Sequence, residues 1–494
     1  MRRITKTVFV HSYRCPKLCW LERHKREAVN DDGSLHSAEG NEVGDLAMKY
    51  FGDYIEIPYG KPEDMAAQTA QVLHDSRGKT ICEASFVVGD LFCSADILRR
   101  RKDGTYDVYE VKSSTHLKDH QLEDSAFQMY VITAAGLKVH SFNLMHINPD
   151  YVLGAELDLN ALFVVTDITY DVNRLQTSIE GRINECRQLL ASDEEPMCSL
   201  SKKCDKPFTC PCRDYCFKLN EVPEDSVFTV SGLRVDKKYE LFSRGIVSAE
   251  DLSKCGSLNA SQMCQVQGVL SPEIHVDKKS IRDFLGQMRY PLYLLDFETV
   301  QFAVPRFIGT KPYQQIPFQY SLHILDKSGN LQHREFLAEA GTDPRYALAA
   351  QLVNDIPMDV MSMAYNSKFE KMVMRELAEE FPVFRNHLLN IVEGMVDLMI
   401  PFQKRYYYNP CQKGSYSIKA VLPAMCPNDP ELDYHKLPVV HNGAEAMTIF
   451  AVLSKIEDAE EVERIRQGLL LYCGLDTLAM VKVLEQLYEL VKEA

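Results

Sequence analysis

The pattern of apolar and polar positions divides the chain into regions of different period. ASFVVGDLFCSADILRRRKDGTYDVYEVKSST alternates runs rich in Val, Ile, Tyr and Phe with turn residues, which predicts a strand-rich centre. Asp103-Gly104 between two such runs predicts a hairpin. A basic helical stretch precedes this centre, and a helical pattern follows from about Asp119 to Gly136. Residues 221–288 read as short amphipathic helices. From Tyr290 a new α/β unit opens with the buried-strand run YPLYLLDFETV. It continues through PFQYSLHILDKSG, NLQHREFLAEA and MDVMSMAYN as strands and closes in a helix from about Asp458. The expected organisation is α/β multidomain, with units at 1–220 and 289–494 and a helical connector at 221–288.

Composition supports a folded chain. Of 494 residues, 46% are apolar and 25% charged, which excludes disordered and fibrous classes. No run approaches 18 uninterrupted apolar residues and the N-terminus lacks a signal-peptide pattern, so the expectation is a cytoplasmic protein without a membrane partner. The net charge of -15 argues against bulk electrostatic coating of nucleic acid. Locally, residues 1–30 carry eight Lys/Arg against two Glu, and Arg99-Arg100-Arg101-Lys102 forms a second basic group. Binding along restricted grooves stays open. Five of the fifteen cysteines, Cys198, Cys204, Cys210, Cys212 and Cys216, fall within 19 residues, a grouping that points to metal where disulfides are not expected.

A hairpin turning at Asp103 sets Asp96 opposite Glu110, and strand alternation puts Glu110 and Lys112 on one face. Two carboxylates and an ammonium on one patch suit metal-assisted phosphodiester cleavage: Asp96 and Glu110 hold Mg²⁺ or Mn²⁺ and Lys112 serves the nucleophile. With the ADIL and EVKSS segments and the helix DSAFQMYVI, the stretch resembles the RecB-like branch of the PD-(D/E)xK nucleases. The resemblance implies a restriction-endonuclease-like α/β core, with Gln128 and Tyr130 as substrate-binding residues. It also implies a [4Fe-4S] cluster on one N-terminal and three C-terminal cysteines, here Cys15, Cys204, Cys210 and Cys216; Cys19 and Cys212 are surplus to a four-thiolate site. Zn²⁺ is the alternative occupant, although tight CxxC pairs are absent. Relatives often carry a histidine where this chain has Gly44 in EGNEVGDLA, with Glu42 or Glu39 as substitute acids.

YPLYLLDFET is an apolar strand ending in Asp296 and Glu298, two positions apart and therefore on one face. Two like charges beside a core call for a cation or a raised pKa. AYNSKFEK sets Asn366 and Glu370 after the next strand, and LLLYCGLDTLAM sets Tyr472 and Asp476 four apart on one helical face. The set resembles the DnaQ-like (DEDD) exonucleases of the RNase H fold, in the subtype ending Tyr-x3-Asp. The resemblance implies two divalent ions on Asp296, Glu298, Glu370 and Asp476, a water oriented by Tyr472, and Asn366 near substrate. Glu370 stands where relatives more often have aspartate. Asp397 and Lys419 sit in segments typical of the family, Asp397 in a structural role.

From SYRCPKLCWLERH to YCGLDTLAM, the chain resembles a bacterial family that joins a RecB-like iron-sulfur nuclease to a DEDD-type domain. The implied function is metal-dependent hydrolysis of DNA, 3'-to-5' in the C-terminal unit, with a second nuclease or end-binding site in the N-terminal one. A nucleic-acid scaffold with an inactive N-terminal site and an RNA-processing exonuclease are the alternatives. LRVDKKYELFSRGIVSAEDL is weakly similar to a helix-hairpin-helix element, with Gly245 in the turn and Lys237, Lys238 and Arg244 beside it; a plain helical linker is the alternative.

Overall fold

The computed structural model describes residues 3–30, 36–75, 80–427, 429 and 432–492. They form a mixed α/β protein of two compact units, one of Met1–Glu221 with Phe302–Gln314 and one of Val222–Gln301 with Gln315–Ala494. The segment read as a connector therefore belongs to the second unit, and the loop 302–314 to the first.

In the first unit, six strands stand in chain order: β1 (Tyr54–Glu56), β2 (Thr80–Val88), β3 (Leu91–Arg100), β4 (Tyr106–Lys112), β5 (Val139–Ile147) and β6 (Phe163–Asp167). β1–β2 and β4–β5 are parallel and the other neighbours antiparallel. The parallel β4–β5 step needs a crossover, which helix Asp119–Ala134 supplies. The β3–β4 hairpin turns at Asp103-Gly104. There the Thr105 amide and hydroxyl both donate to Asp103 Oδ1 (3.0 and 2.6 Å), and Gly104 takes φ +83. One sheet face packs Ala95, Val108 and Leu144 under helices Lys6–Arg14, Pro62–Asp75, Asp119–Ala134 and Thr169–Ala191.

The alternation of β2 and β3 slips at one point. Cys82 pairs Ile97 and Ala84 pairs Ala95, but Glu83 and Asp96 between them leave the ladder, with Glu83 at φ +56. Ile81 and Ala84 consequently share a core face, while Cys82 and Ile97 face the opposite core. Such an irregularity re-aims side chains next to it, and the residue it re-aims is Asp96.

The second unit begins with helices Val235–Ser243, Ala249–Lys254, Ala260–Leu270 and Lys278–Leu285. Gly245 takes φ +74 between the first two. Lys237 and Arg244 pair with Glu240, and Lys238 donates to the Phe228 carbonyl at 2.6 Å. A two-residue strand β7 (His275–Val276) pairs with β13 (Tyr407–Tyr408). The main sheet holds β8 (Leu292–Val300), β9 (Ile316–Leu325), β10 (Leu331–Leu337), β11 (Met361–Ala364) and β12 (Met395–Asp397) in the order β10-β9-β8-β11-β12. β8, β9 and β10 are antiparallel neighbours, while β11 runs parallel to β8 and β12.

Tyr293, Leu295 and Phe297 of β8 enter the core beneath helices Arg345–Asp355, Lys368–Glu380 and Arg385–Gly394. Asp296 and Glu298, one position out of phase, face the other side, where helices Gly443–Leu453 and Ala459–Val491 pack on β8. The sequence reading ends the strand at these acids; the structure continues it to Val300. Helix Ala459–Val491 is long and apolar enough to cross a membrane by composition, and most of that apolar stretch is buried within the protein. Polar contacts fix it on the sheet: Gln319 Nε2 donates to the Leu469 carbonyl at 2.8 Å, and the Thr477 hydroxyl meets Ser321 Oγ at 2.6 Å and His323 Nδ1 at 2.7 Å.

Gly468 lets this helix approach its neighbour, since a Cβ there would lie 2.5 Å from Val439 Cβ. Helix propensity favours Gly→Ala by ~1 kcal/mol, but overpacking costs ~1–3 kcal/mol. Gly468→Ala is expected to lower the urea midpoint. Gly181→Ala, in helix Thr169–Ala191 with open space around its Cα, is expected to leave stability unchanged or raise it.

Candidate functional site

Two groups of acids stand out, one in each unit. In the second unit, β8 supplies Asp296 and Glu298 and helix Ala459–Val491 supplies Asp476, and one oxygen from each lies within 4.8 Å of the others. Glu298 and Asp476 are buried and Asp296 is half-buried. Ligand oxygens around Mg²⁺ at ~2.1 Å stand ~3–4.2 Å apart, so a group held within 4.8 Å is close to the spacing of one ion's coordination shell. Glu370, at the start of helix Lys368–Glu380, is buried with Oε2 unpartnered, and its charge bears on Asp296 and Glu298 although it stands outside the tight group. An orphaned buried carboxylate oxygen beside three converging acids fits a divalent cation.

Electrostatics agree with that fit. Burial, then the charges of Asp476, Glu370 and Glu298, raises the Asp296 pKa well above its ordinary value. Burial and Asp476 push Glu298 up to about 8, and burial with Asp397 pushes Glu370 up to about 8. Asp476 rises only to about 6: burial lifts it, while hydrogen bonds from Tyr434 and Tyr472 and the Lys419 charge hold it down. The Tyr434 hydroxyl donates to Asp476 Oδ1 at 2.6 Å. Lys419 Nζ donates to Tyr472 Oη at 3.1 Å and lies 4.9 Å from the ring centres of both tyrosines. The first turn of helix Gly443–Leu453 approaches Glu298, since a Cβ on Gly443 would stand 3.5 Å from Glu298 Oε2.

Asn366 takes φ +67 in the turn between β11 and helix Lys368–Glu380, with its side chain exposed. Asp397 holds that turn, accepting from the Asn366 and Ser367 amides (3.0 and 3.1 Å) and from Met399 N–H at 2.9 Å. Those bonds give Asp397 a structural task. Tyr434, absent from the sequence reading, opens a 3-10 helix, Tyr434–Lys436, too short to carry a periodic signal; only its neighbours in space reveal it.

The first unit groups its acids differently. Glu110 Oε1 accepts from Lys112 Nζ and from Lys6 Nζ, each at 2.6 Å, and Oε2 accepts from Gln128 Nε2 at 2.6 Å. Burial opposes ionisation, but the two ammonium groups overcome it and hold Glu110 down at about 2. The β3–β4 ladder ends at Ile97–Tyr109, and Asp96 Oδ2, one position beyond, accepts from Val111 N–H at 2.6 Å. Burial, then Glu110, lifts Asp96 to about 7. A cavity of about 580 Å³ is lined by Lys6, Asp45, Glu83, Asp96, Glu110 and Lys112, among others. Gly44 lines it too, while Glu42 pairs with Arg306 at 3.6 Å. Gln128 is fully buried beneath Glu110, and Tyr130 packs against the core. Lys6 was missed because its helix lies 104 residues from Glu110 in sequence.

Of the cysteines predicted as cluster ligands, Cys15, Cys210 and Cys216 pack with Leu18, Trp20 and Leu21, where Cys212 joins them; Cys204 is half-buried outside that apolar group. Burial, then the charges of Cys15, Cys210 and Cys204 among others, raises Cys216 to about 11, and a thiol hydrogen bond from Cys198 lowers Cys15 to about 6. Cys212 bonds Cys210 and lowers it to about 7. Cys19 pairs instead with Cys186. The N-terminal segment is tied to this region by Trp20 Nε1 donating to the Ser192 carbonyl at 3.0 Å and by Arg14 donating to the Lys203 and Phe208 carbonyls (2.9 and 2.7 Å).

A family model described as a domain of unknown function (DUF2779) matches residues 293–417. That span includes Asp296, Glu298, Asn366, Glu370 and Asp397, and ends before Lys419, Tyr472 and Asp476. No match to the chain is found among curated proteins.

Proposed function

We propose that the protein is a metal-dependent nuclease acting on DNA, with 3'-to-5' exonuclease chemistry in the second unit. The observation that carries the reading is the convergence of Asp296, Glu298 and Asp476 within 4.8 Å beside the unpartnered Glu370. The sheet order, an antiparallel run β10-β9-β8 followed by two parallel strands, is consistent with an RNase H-like fold. The first unit's mixed sheet is consistent with a PD-(D/E)xK core.

Asp296, Glu298, Glu370 and Asp476 would hold divalent ions, which when bound lower the pKa of water and stabilise charge on the leaving oxygen. The protein's own groups do the positioning. Tyr472, anchored by Lys419, presents its hydroxyl beside Asp476 and orients the attacking water. Tyr434 fixes the Asp476 carboxylate. Lys419, the cation beside the acids, bears on the negative charge that a phosphodiester brings. In the first unit, Lys112 and Glu110 face the cavity with Asp96, as a second nuclease or DNA-end-binding site. Cys15, Cys204, Cys210 and Cys216 would hold a [4Fe-4S] cluster that staples the N-terminal segment to residues 192–220.

On end-labelled DNA with Mg²⁺ or Mn²⁺, Asp296→Ala and Asp476→Ala are expected to cut 3'-end cleavage by ~10²–10³-fold, the loss of several kcal/mol of charge stabilisation. Lys112→Ala leaves that cleavage unchanged. Loss with Lys112→Ala alone would move the activity to the first unit, and cleavage of RNA only would replace the DNA reading.

Because the raised carboxyl groups bind protons in the folded state more tightly than in the unfolded one, they weaken the metal-free fold as pH rises from about 4 toward 8. Asp296→Asn is expected to exceed the metal-free wild type by ~1–2 kcal/mol at pH 8 and to match it near pH 4. In urea titrations, millimolar Mn²⁺ should restore the wild type and not the variant.

Anaerobic purification is expected to yield a coloured protein with about four irons per chain, lost in Cys216→Ser. A colourless protein carrying zinc would replace the cluster.

A further inference from the structure

We propose that Lys6 is a built-in cation of the first unit's acidic centre: its ammonium takes the place on Glu110 that a divalent ion requires, so an ion enters only as Lys6 leaves. The inference rests on the reading of this centre as a metal-dependent site.

The geometry begins at the N-terminal segment. Ile4 bridges Leu91 at the start of β3, its amide donating to the Asp90 carbonyl at 2.8 Å and its carbonyl accepting from Phe92 N–H at 3.0 Å. Thr5 then caps helix Lys6–Arg14, and Phe9 is fully buried and stacked on Phe127 with ring centres 4.8 Å apart. Lys6 is thereby set in the first helical turn beside Glu110.

Glu110 has little capacity left for a metal, since three of its roughly four lone-pair directions are taken. A carboxylate oxygen offers about two lone-pair directions. Both on Oε1 are taken by Lys6 and Lys112, and Oε2 holds Gln128. The charges of Lys6 and Lys112 meet those of Glu110 and Asp96, with Asp124 also acting on both lysines and with Asp45, Glu56 and Glu83 on the cavity wall. At the second unit's centre, by contrast, Lys419 stands against Asp296, Glu298, Glu370 and Asp476. At the first centre two ammonium groups bond Glu110 directly; at the second one lysine faces four acids.

Of the two lysines, Lys6 is the one that can yield. Both line the 580 Å³ cavity, but Lys112 is fixed two residues from Glu110 on the same strand face, whereas Lys6 reaches over from a separate helix. Glu83 and Glu56 on the cavity wall offer the displaced ammonium new partners.

The test uses the full chain with the second centre disabled by Asp296→Asn and Asp476→Asn. Mn²⁺ binding, read by electron paramagnetic resonance, is expected to tighten at least about tenfold with Lys6→Met and to stay weak with Lys6→Arg. In the parent, without touching Lys6, acetylation of Lys6 read by mass spectrometry is expected to rise severalfold at saturating Mn²⁺. Equal or weaker Mn²⁺ binding by Lys6→Met, or labelling indifferent to Mn²⁺, overturns the proposal. These readouts need no cleavage, so loss of the nuclease reading through inactive wild type would appear separately.

Discussion

The second unit depends on keeping Asp296, Glu298 and Asp476 together against their mutual repulsion. Three acids within 4.8 Å in a largely buried setting are unfavourable when ionised. What holds them is packing elsewhere on the same elements. Phe297 between the two acids of β8 is committed to the opposite core, so neither acid can turn away without withdrawing it. Asp476 lies in a helix whose neighbouring residue, Thr477, is bonded to Ser321 and His323 of β9. The apolar faces supply the force, and the acids sit where that force directs them. Tyr434, Tyr472 and Lys419 offset only part of the burial and repulsion, which leaves the raised pKa values of Asp296 and Glu298.

The first unit reaches the same concentration of acids by another route. Glu110 is almost completely buried, at 1% exposure, yet its pKa is low, because two ammonium groups and an amide meet its two oxygens. Charge-assisted hydrogen bonds of 2.6 Å in a low-dielectric setting are strong enough to reverse the desolvation penalty. One centre stores unfavourable charge that a cation relieves, and the other has its cations built in.

Much of this was legible in the sequence, for reasons that can be named. Strand alternation is local, so the common face of Asp296 and Glu298, the pairing of Glu110 with Lys112, and the helical stacking of Tyr472 over Asp476 follow from short windows. The hairpin at Asp103-Gly104 was readable because turn chemistry is local too. Features carried by long-range packing were not. Tyr434 reaches Asp476 from a segment too short to carry a period, and Lys6 reaches Glu110 across 104 residues. The slip at Glu83 and Asp96 was equally hidden, since a non-glycine residue at φ +56 leaves no mark on the hydrophobic pattern. Residues 221–288 read as a separate connector because short amphipathic helices look alike whether or not they pack on a neighbouring core.

Helix Lys6–Arg14 gathers the first unit's chemistry into one rigid element. Nine residues at 1.5 Å each make it ~13 Å long, with Lys6 at one end and the cap residue Cys15 at the other. Its middle is fixed by Phe9 stacked on Phe127, whose own helix carries Gln128 to Glu110. Two of the three donors on Glu110 therefore come from a single helix pair.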